Sequence, residues 1–224
     1  MVNTGIGIPE VLSLLAILLP VVPILIIFIR RTWQQDMMIF LGTICLLAFM
    51  QHLMVYIPKL VPVNTTFINS IFGLGEFVLL LYLFKLIIEP LWLREMIHTV
   101  LIAFASVAIT IFALRGTATH ASGLAMTAAF ILLVIAIAAL LQLIRDKQLF
   151  IFQSPMFWIA GGNICYFSMF LLTGLVGGDE KGTAALQQEK MILLSVINDI
   201  RLAFFIVAAY SARPQNDLIE GTRL

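Results

Sequence analysis

Seven stretches of mainly apolar residues follow one another along the chain, and short polar segments separate them. Each stretch is close to the ~20 residues that a helix needs to cross ~30 Å of hydrocarbon. Backbone amide and carbonyl groups in lipid must find partners within their own segment, so these stretches must be helices. The alternating pattern of a membrane β-barrel does not occur. The sequence therefore predicts an all-α, polytopic membrane protein with seven transmembrane helices in a single domain.

Composition agrees with this class and excludes others. Of the 224 residues, 62% are hydrophobic and 11% are charged, whereas soluble domains carry about 25% charged residues. The net charge of +1 gives no basis for binding nucleic acid. The first stretch is closed by two arginines and lacks a cleavage pattern, so we interpret it as a retained helix rather than a signal peptide. Its two prolines, Pro20 and Pro23, are expected to kink it. The predicted helices cover residues 9–29, 37–57, 69–88, 96–114, 124–143, 155–176 and 191–210, and residues 213–224 form a short tail.

The loop charges predict an orientation. Seven lysines and arginines lie in the loops after helices 1, 3 and 5 and in the tail, against four on the other side. Because cytoplasmic loops carry an excess of these residues, the N-terminus is predicted outside and the C-terminus, with its tail, inside. The expected location is the plasma membrane, crossed several times.

Polar residues within the apolar stretches are the candidates for function. Ionisable side chains in hydrocarbon cost several kcal/mol, and they are usually paired or face a cavity. Eight polar residues, ionisable or neutral, fall in the middle or outer half of the predicted membrane: Gln51, His52, Glu76, Asn163, Tyr166, Asn198, Asp199 and Arg201. We predict that they line an outward-facing pocket that binds a small molecule or a proton. The alternative is a polar clamp that only fixes helix packing.

Helix 7 suggests a specific pairing. Asn198 and Arg201 are three residues apart and share a face, whereas Asp199 lies roughly 200° around the helix from Arg201 at 100° per residue. Asp199 is therefore badly placed to pair with Arg201. We predict that Arg201 pairs instead with Glu76 of helix 3.

Two further patterns indicate packing. Helix 5 carries a face of small residues that suits close helix contact: Ala125, Ala128, Ala129, Ala136 and Ala139. Ser154 followed by Pro155 is typical of a helix start. Cys45 and Cys165 both lie in apolar stretches and are predicted to be buried free thiols.

No catalytic or metal-binding constellation stands out. The three histidines, His52, His98 and His120, fall at different depths and cannot converge on one zinc ion. The His-Glu-x-x-His motif of metalloproteases is absent, and helix 7 has no central lysine for retinal. We expect neither enzymatic activity nor a cofactor.

One stretch carries a resemblance. Ser154-Pro155-Met156-Phe157-Trp158, continuing to Tyr166-Phe167-Ser168, resembles a Ser-Pro-x-Phe-Trp…Tyr-Phe-Ser pattern. That pattern occurs in seven-helix membrane proteins of Bacteroidota-type bacteria, a family without a settled activity. Glu76 and Asn198 also look similar to that family, and the sequence departs from it at Met169. The resemblance implies a bacterial inner membrane and a sensory or accessory role beside a two-component histidine kinase.

Together these features favour a receptor-like sensory or signalling module, in contact with the lipid bilayer and acting through a separate protein partner. Two alternatives remain open. One is a transporter or channel for ions or small solutes, and the other is a structural subunit of a larger membrane complex.

Overall fold

The computed structural model describes residues 14–56, 65–115, 121–145, 151–176 and 184–213. These residues form helices and short connections and contain no β-strand. The helices are α1 (Val21–Ile29), α2 (Asp36–Tyr56), α3 (Thr65–Ile87), α4 (Leu91–Arg115), α5 (Ala121–Arg145), α6 (Pro155–Val176) and α7 (Ala184–Ser211). Short 3-10 turns at Thr32–Gln34 and Ile151–Gln153 precede α2 and α6. The helices α2 to α7 are long and apolar enough to cross a membrane, as the sequence predicts.

The first predicted helix is shorter and broken. An apolar helical segment runs over Leu14–Ile29, but its regular pattern is interrupted at Leu19 and Pro20, immediately before α1. Proline lacks an amide hydrogen and its ring obstructs the preceding turn, so the break confirms the expected kink. Residues 9–13 of the predicted helix lie outside the described part of the chain.

The other helices lie where the apolar stretches predict them, but α3, α4, α5 and α7 begin three to seven residues earlier than predicted. The two largest differences are at α4, which is predicted from residue 96 and begins at Leu91, and at α7, which is predicted from residue 191 and begins at Ala184. Both extensions consist of polar and apolar residues mixed. Hydropathy marks only the part of a helix that lies in hydrocarbon, so a helix that continues into the interfacial region is longer than its apolar core.

Helix contacts define a ring. α1 packs on α2, α2 on α3, α3 on α5, α5 on α6, α6 on α7, and α7 returns to α1. α4 stands outside this ring and packs mainly on α3. We call the end of the bundle where α1, α3, α5 and α7 end the C-terminal face, and the opposite end the N-terminal face. The predicted orientation would make the C-terminal face cytoplasmic.

The half of the bundle near the C-terminal face is densely packed. Leu80, Leu83 and Phe84 of α3 and Phe205 of α7 are fully buried there. α6 and α7 approach closely at Gly162, where a Cβ atom would lie 2.8 Å from Cβ of Phe204. Glycine is required at this position because a side chain on α6 would meet the α7 main-chain region.

Candidate functional site

A buried ion pair connects α3 and α7 in the middle of the bundle. Nη1 of Arg201 lies 2.5 Å from Oε1 of Glu76, which confirms the pairing predicted from the sequence. The Arg201 side chain is 3% exposed and that of Glu76 is 20% exposed. Glu76 is thus the more exposed partner, although its Oε1, which faces Arg201, is itself buried.

Other groups complete the surroundings of Arg201. Its Nη2 donates to Oδ1 of Asn198 at 3.1 Å, on the shared face that the helical spacing predicts. Its Cζ lies 4.0 Å from the ring centroid of Tyr166 and 5.6 Å from that of Phe205. An aromatic face attracts a cation, and more strongly where water is excluded. Contacts from α3, α6 and α7 itself therefore offset the buried charge.

The carboxylate of Glu76 borders a cavity of about 360 Å³ in the half of the bundle near the N-terminal face. This volume is within the range of about 300–1,000 Å³ that is typical of ligand pockets. The polar lining groups are Gln51 of α2, Asn69, Ser70 and Glu76 of α3, and Tyr166 of α6. Gln51 Nε2 donates to Asn69 Oδ1 at 3.3 Å. The remaining lining is apolar and comes mainly from α4, α5 and α6: Phe104, Ala108, Phe112, Leu124, Ala125, Ala128, Ala129, Leu132, Phe167 and Phe170, with Gly73, Leu74 and Phe77 of α3.

The eight polar residues singled out in the sequence do not form one pocket. Gln51, Glu76 and Tyr166 line the cavity. Arg201 and Asn198 are not among its lining residues. Arg201 contacts Glu76, and Asn198 accepts a hydrogen bond from Arg201.

The other three of the eight lie elsewhere. His52 Nδ1 is 2.7 Å from the carbonyl oxygen of Ala48 one turn earlier. Asn163 is fully buried and donates to the carbonyl of Ile159 at 2.9 Å. His52 and Asn163 thus make their contacts within their own helices, and Oδ1 of Asp199 is buried without a hydrogen-bond partner among the described residues.

Sequence reasoning missed much of the cavity lining. Asn69 and Ser70 are the first two residues of the predicted helix 69–88, and they are absent from the polar candidates because they lie at its end rather than within the apolar stretch. The alanine face of α5 is predicted from the sequence to be a packing surface. Ala136 and Ala139 are buried as that interpretation requires, but Ala128 lines the cavity. A row of small residues lines a cavity where the neighbouring helix is farther away, and packs where that helix is close. The sequence does not show which neighbouring helix is farther away.

The end of α7 is tied to three other segments at the C-terminal face. Arg30, after α1, donates to the carbonyl of Tyr210, and its Cζ lies 4.9 Å from the Tyr210 ring centroid. Gln35, before α2, donates from Nε2 to the carbonyl of Arg213 at 2.6 Å. Arg213 donates in turn to Oε1 of Gln153, before α6, at 3.3 Å. A displacement of α7 therefore reaches the connections before α2 and α6.

A separate contact fixes α4 on α3 near the same face. Nζ of Lys85 is hydrogen-bonded to Nε2 of His98, which must accept because an ammonium only donates. The ammonium also lies 5.8 Å from the ring centroid of Tyr82. These polar groups hold the beginning of α4, whereas the rest of α4 packs through apolar side chains such as Phe104 and Ala108.

Metal-ligating side chains are dispersed. Within the described ranges, no three His, Cys, Asp or Glu side chains lie close enough to hold one metal ion. His52 lies near the end of α2 and His98 near the start of α4, and His120 falls outside the described residues. Both cysteines are free thiols; Cys45 is buried as predicted, but Cys165 is exposed on the bundle surface, so its predicted burial is wrong.

The site therefore consists of a carboxylate that faces a mostly apolar cavity and is held from behind by a buried guanidinium. Such a carboxylate accepts hydrogen bonds from a guest molecule. Comparison with known proteins adds no assignment, since no protein-family model, no curated protein and no solved structure matches the chain.

Proposed function

We propose that this protein is a sensory or signalling membrane module. In this proposal, a ligand in the cavity contacts Glu76, changes the position of α7, and thereby alters the C-terminal face for a separate protein partner. The observation that carries the proposal is the ion pair between Glu76 and Arg201, because it joins two helices at the wall of a cavity.

The ion pair supplies the sensitivity that a switch needs. A guest that donates a hydrogen bond to Glu76 takes over part of the interaction that the carboxylate makes with Arg201. Loss of one partner from a buried ion pair costs about 3–5 kcal/mol, and ~5.5 kcal/mol moves a two-state equilibrium from 1:99 to 99:1. A partial weakening of this contact is therefore enough to change the populations of two helix arrangements substantially.

The route to the C-terminal face runs along α7. Arg201 is followed by the buried residues Leu202, Phe205, Ala208 and Ala209, and the helix end is bonded to segments beside α1, α2 and α6. Closely packed helices move as rigid bodies rather than deforming continuously. A shift at Arg201 is thus expected to appear at these connections.

A signal of this kind requires a partner. The described part of the chain forms only the helical bundle and its short connections. The family resemblance supports a histidine kinase or another soluble signalling protein as that partner. The proposal assigns no catalytic step to the cavity.

The packing supports this reading over a transporter. A conduit needs polar groups along its whole length. In the half of the bundle near the C-terminal face, the core positions are filled by Leu80, Leu83, Phe84 and Phe205. The polar groups of the cavity do not continue through that packed layer.

The test is purification of the tagged protein from its native cells in a mild detergent, followed by mass spectrometry of what accompanies it. We expect a soluble signalling protein in near-equal amount. The Glu76→Gln variant should change the recovery or the activity of that partner, because glutamine keeps the shape of the side chain but removes its charge. The control is Ala203→Phe, which adds bulk at an exposed position of α7 and should have no effect.

Two other outcomes would contradict the proposal. Recovery within a large membrane assembly, with no effect of Glu76→Gln, would make the protein a structural subunit and the ion pair a packing clamp. Recovery of the protein alone, together with solute flux in proteoliposomes, would indicate a transporter.

A further inference from the structure

We propose that the ligand of the cavity is an uncharged, single-chain amphiphile with a hydroxyl head, and that it enters from the bilayer between α4 and α5. The inference rests on the proposed function only in using the same cavity. It specifies the class of ligand and its path.

The path is an apolar groove on the membrane-facing side of the bundle. A groove of about 570 Å³ lies between α4 and α5, with Val100, Ala103 and Val107 on one side and Thr127 and Ile131 on the other. It exists because α4 packs on α3 and makes at most slight contact with α5. The hydroxyl of Thr127 donates to the carbonyl of Gly123 at 2.9 Å. This bond within the helix leaves an apolar surface that a hydrocarbon chain can cover.

Two side chains separate the groove from the cavity. Phe104 of α4 and Leu124 of α5 line both spaces. The groove and the cavity therefore adjoin at these two residues, both of which carry rotatable side chains. Side chains change rotamer far faster than helices move. A chain from the bilayer can pass when Phe104 and Leu124 rotate, without unfolding of a helix.

The cavity has one polar end and an apolar body. Gln51, Asn69 and Glu76 lie on α2 and α3. The boundary with the groove lies on α4 and α5, across the cavity from α2. An amphiphile that enters head-first from the groove would place its head at the polar end of the cavity. Its chain would then lie against the phenylalanines and alanines of α4 and α5.

The charges of the site select an uncharged head. A carboxylate or phosphate head would meet the carboxylate of Glu76 before it reached Arg201, which is only 3% exposed. An ammonium head would take Glu76 from Arg201 and leave a buried guanidinium that cannot lose its proton. A hydroxyl donates one hydrogen bond to Glu76, so it weakens the ion pair in part without displacing Arg201 from the carboxylate. The neutral amides of Gln51 and Asn69 are suited to the same head.

The experiment is photolabelling in lipid nanodiscs with a long-chain alcohol that carries a diazirine on its chain. We expect label on peptides of α4, α5 and α6 that contain cavity residues. Unlabelled hexadecanol should reduce this label at least tenfold, whereas hexadecyl sulfate and hexadecyltrimethylammonium, which keep their charges, should reduce it less than twofold at equal membrane concentration. Label spread over all lipid-facing helices, or equal competition by hexadecyl sulfate, would overturn the inference.

Three alanine-to-phenylalanine variants separate the cavity from the path. Ala128→Phe fills the cavity and should abolish the competed label, which is the part of the photolabel that unlabelled hexadecanol displaces. Ala103→Phe fills the groove and should slow labelling several-fold while leaving its site unchanged. Ala203→Phe, on the exposed side of α7, should label as the wild type does. Circular dichroism of each variant shows whether it is folded, and a folded Ala128→Phe protein that labels normally would refute the cavity as the site.

The two proposals fail in different ways. If the alcohol does not label the cavity but partner recovery still depends on Glu76, the ligand class is wrong and the signalling role stands. If the competed label is present but neither the alcohol nor Glu76→Gln affects the partner, the binding site stands and the signalling role is wrong.

Discussion

Removal of either charge of the Glu76–Arg201 pair should destabilise the bundle, and the two removals should differ. Glu76→Leu leaves a guanidinium that is 3% exposed and cannot be deprotonated. Arg201→Leu leaves a carboxylate that borders the cavity and can take up a proton. We therefore expect Glu76→Leu to be the more damaging change.

The magnitudes follow from the burial of each group. An uncompensated buried charge costs about 3–5 kcal/mol, which we assign to Glu76→Leu. A buried polar group without a partner costs about 1–3 kcal/mol, which we assign to Arg201→Leu. Replacement of a whole buried pair by apolar residues is often neutral, so the double variant should lie within about 1 kcal/mol of the wild type. The coupling energy of the pair is then at least about 3 kcal/mol.

The measurement is unfolding by sodium dodecyl sulfate in mixed micelles, followed through the fluorescence of the three tryptophans. A hydrogen bond between membrane helices contributes only about 0.6 kcal/mol on average. Coupling below ~1 kcal/mol would thus show that the contact is an ordinary polar clamp, and the cost assigned to the buried charge would be wrong. Exchange of the two residues, Glu76→Arg with Arg201→Glu, is a second check, since it should be more stable than either single exchange.

Two further predictions concern packing at other places, and the same unfolding assay measures both. Gly162→Ala should lower the free energy of unfolding by about 1–3 kcal/mol through overpacking, since its Cβ would lie 2.8 Å from Cβ of Phe204. The matched control is Gly73→Ala, whose Cβ would have no atom within 4 Å. It should raise the free energy of unfolding by up to ~1 kcal/mol, because alanine has the higher helix propensity. Arg30→Met removes the cation from the carbonyl and ring of Tyr210 and should cost about 1 kcal/mol, with faster hydrogen exchange at the end of α7. Equal effects at the two glycines, or unchanged exchange in Arg30→Met, would contradict these readings.

The sequence was sufficient for the fold class because the bilayer restricts a chain so strongly. Twenty consecutive apolar residues permit little except a spanning helix, and α2 to α7 occupy the stretches that this rule selects. The first residues of α4 and α7 were less predictable, since a helix can continue past the hydrocarbon boundary. The position of α4 outside the ring depends on which apolar helix surfaces fit together. The periodicity of the sequence does not predict which helices become neighbours.

The site was predictable only where electrostatics left few choices. A buried arginine needs an anion, and Glu76 is the glutamate at the appropriate depth, so the pair followed from spacing and charge. The cavity beside it depends on distances between helices. Small residues such as Ala128 are equally suited to close packing and to lining a space, and the distinction appears only when α4 and α5 are seen to stand apart.

The clamp and the pocket need not be alternatives, and the double Leu variant shows why. Replacement of a buried ion pair by apolar residues typically maintains stability, so stability alone gives no reason for charges at positions 76 and 201. A purely structural clamp also has no need to turn a carboxylate toward a cavity, yet Glu76 is 20% exposed and lines one. If the double Leu variant folds as well as the wild type and loses the competed alcohol label, the pair serves ligand binding rather than folding. If it folds and keeps the label, Glu76 is not the group that holds the ligand, and the amides of Gln51 and Asn69 become the candidates.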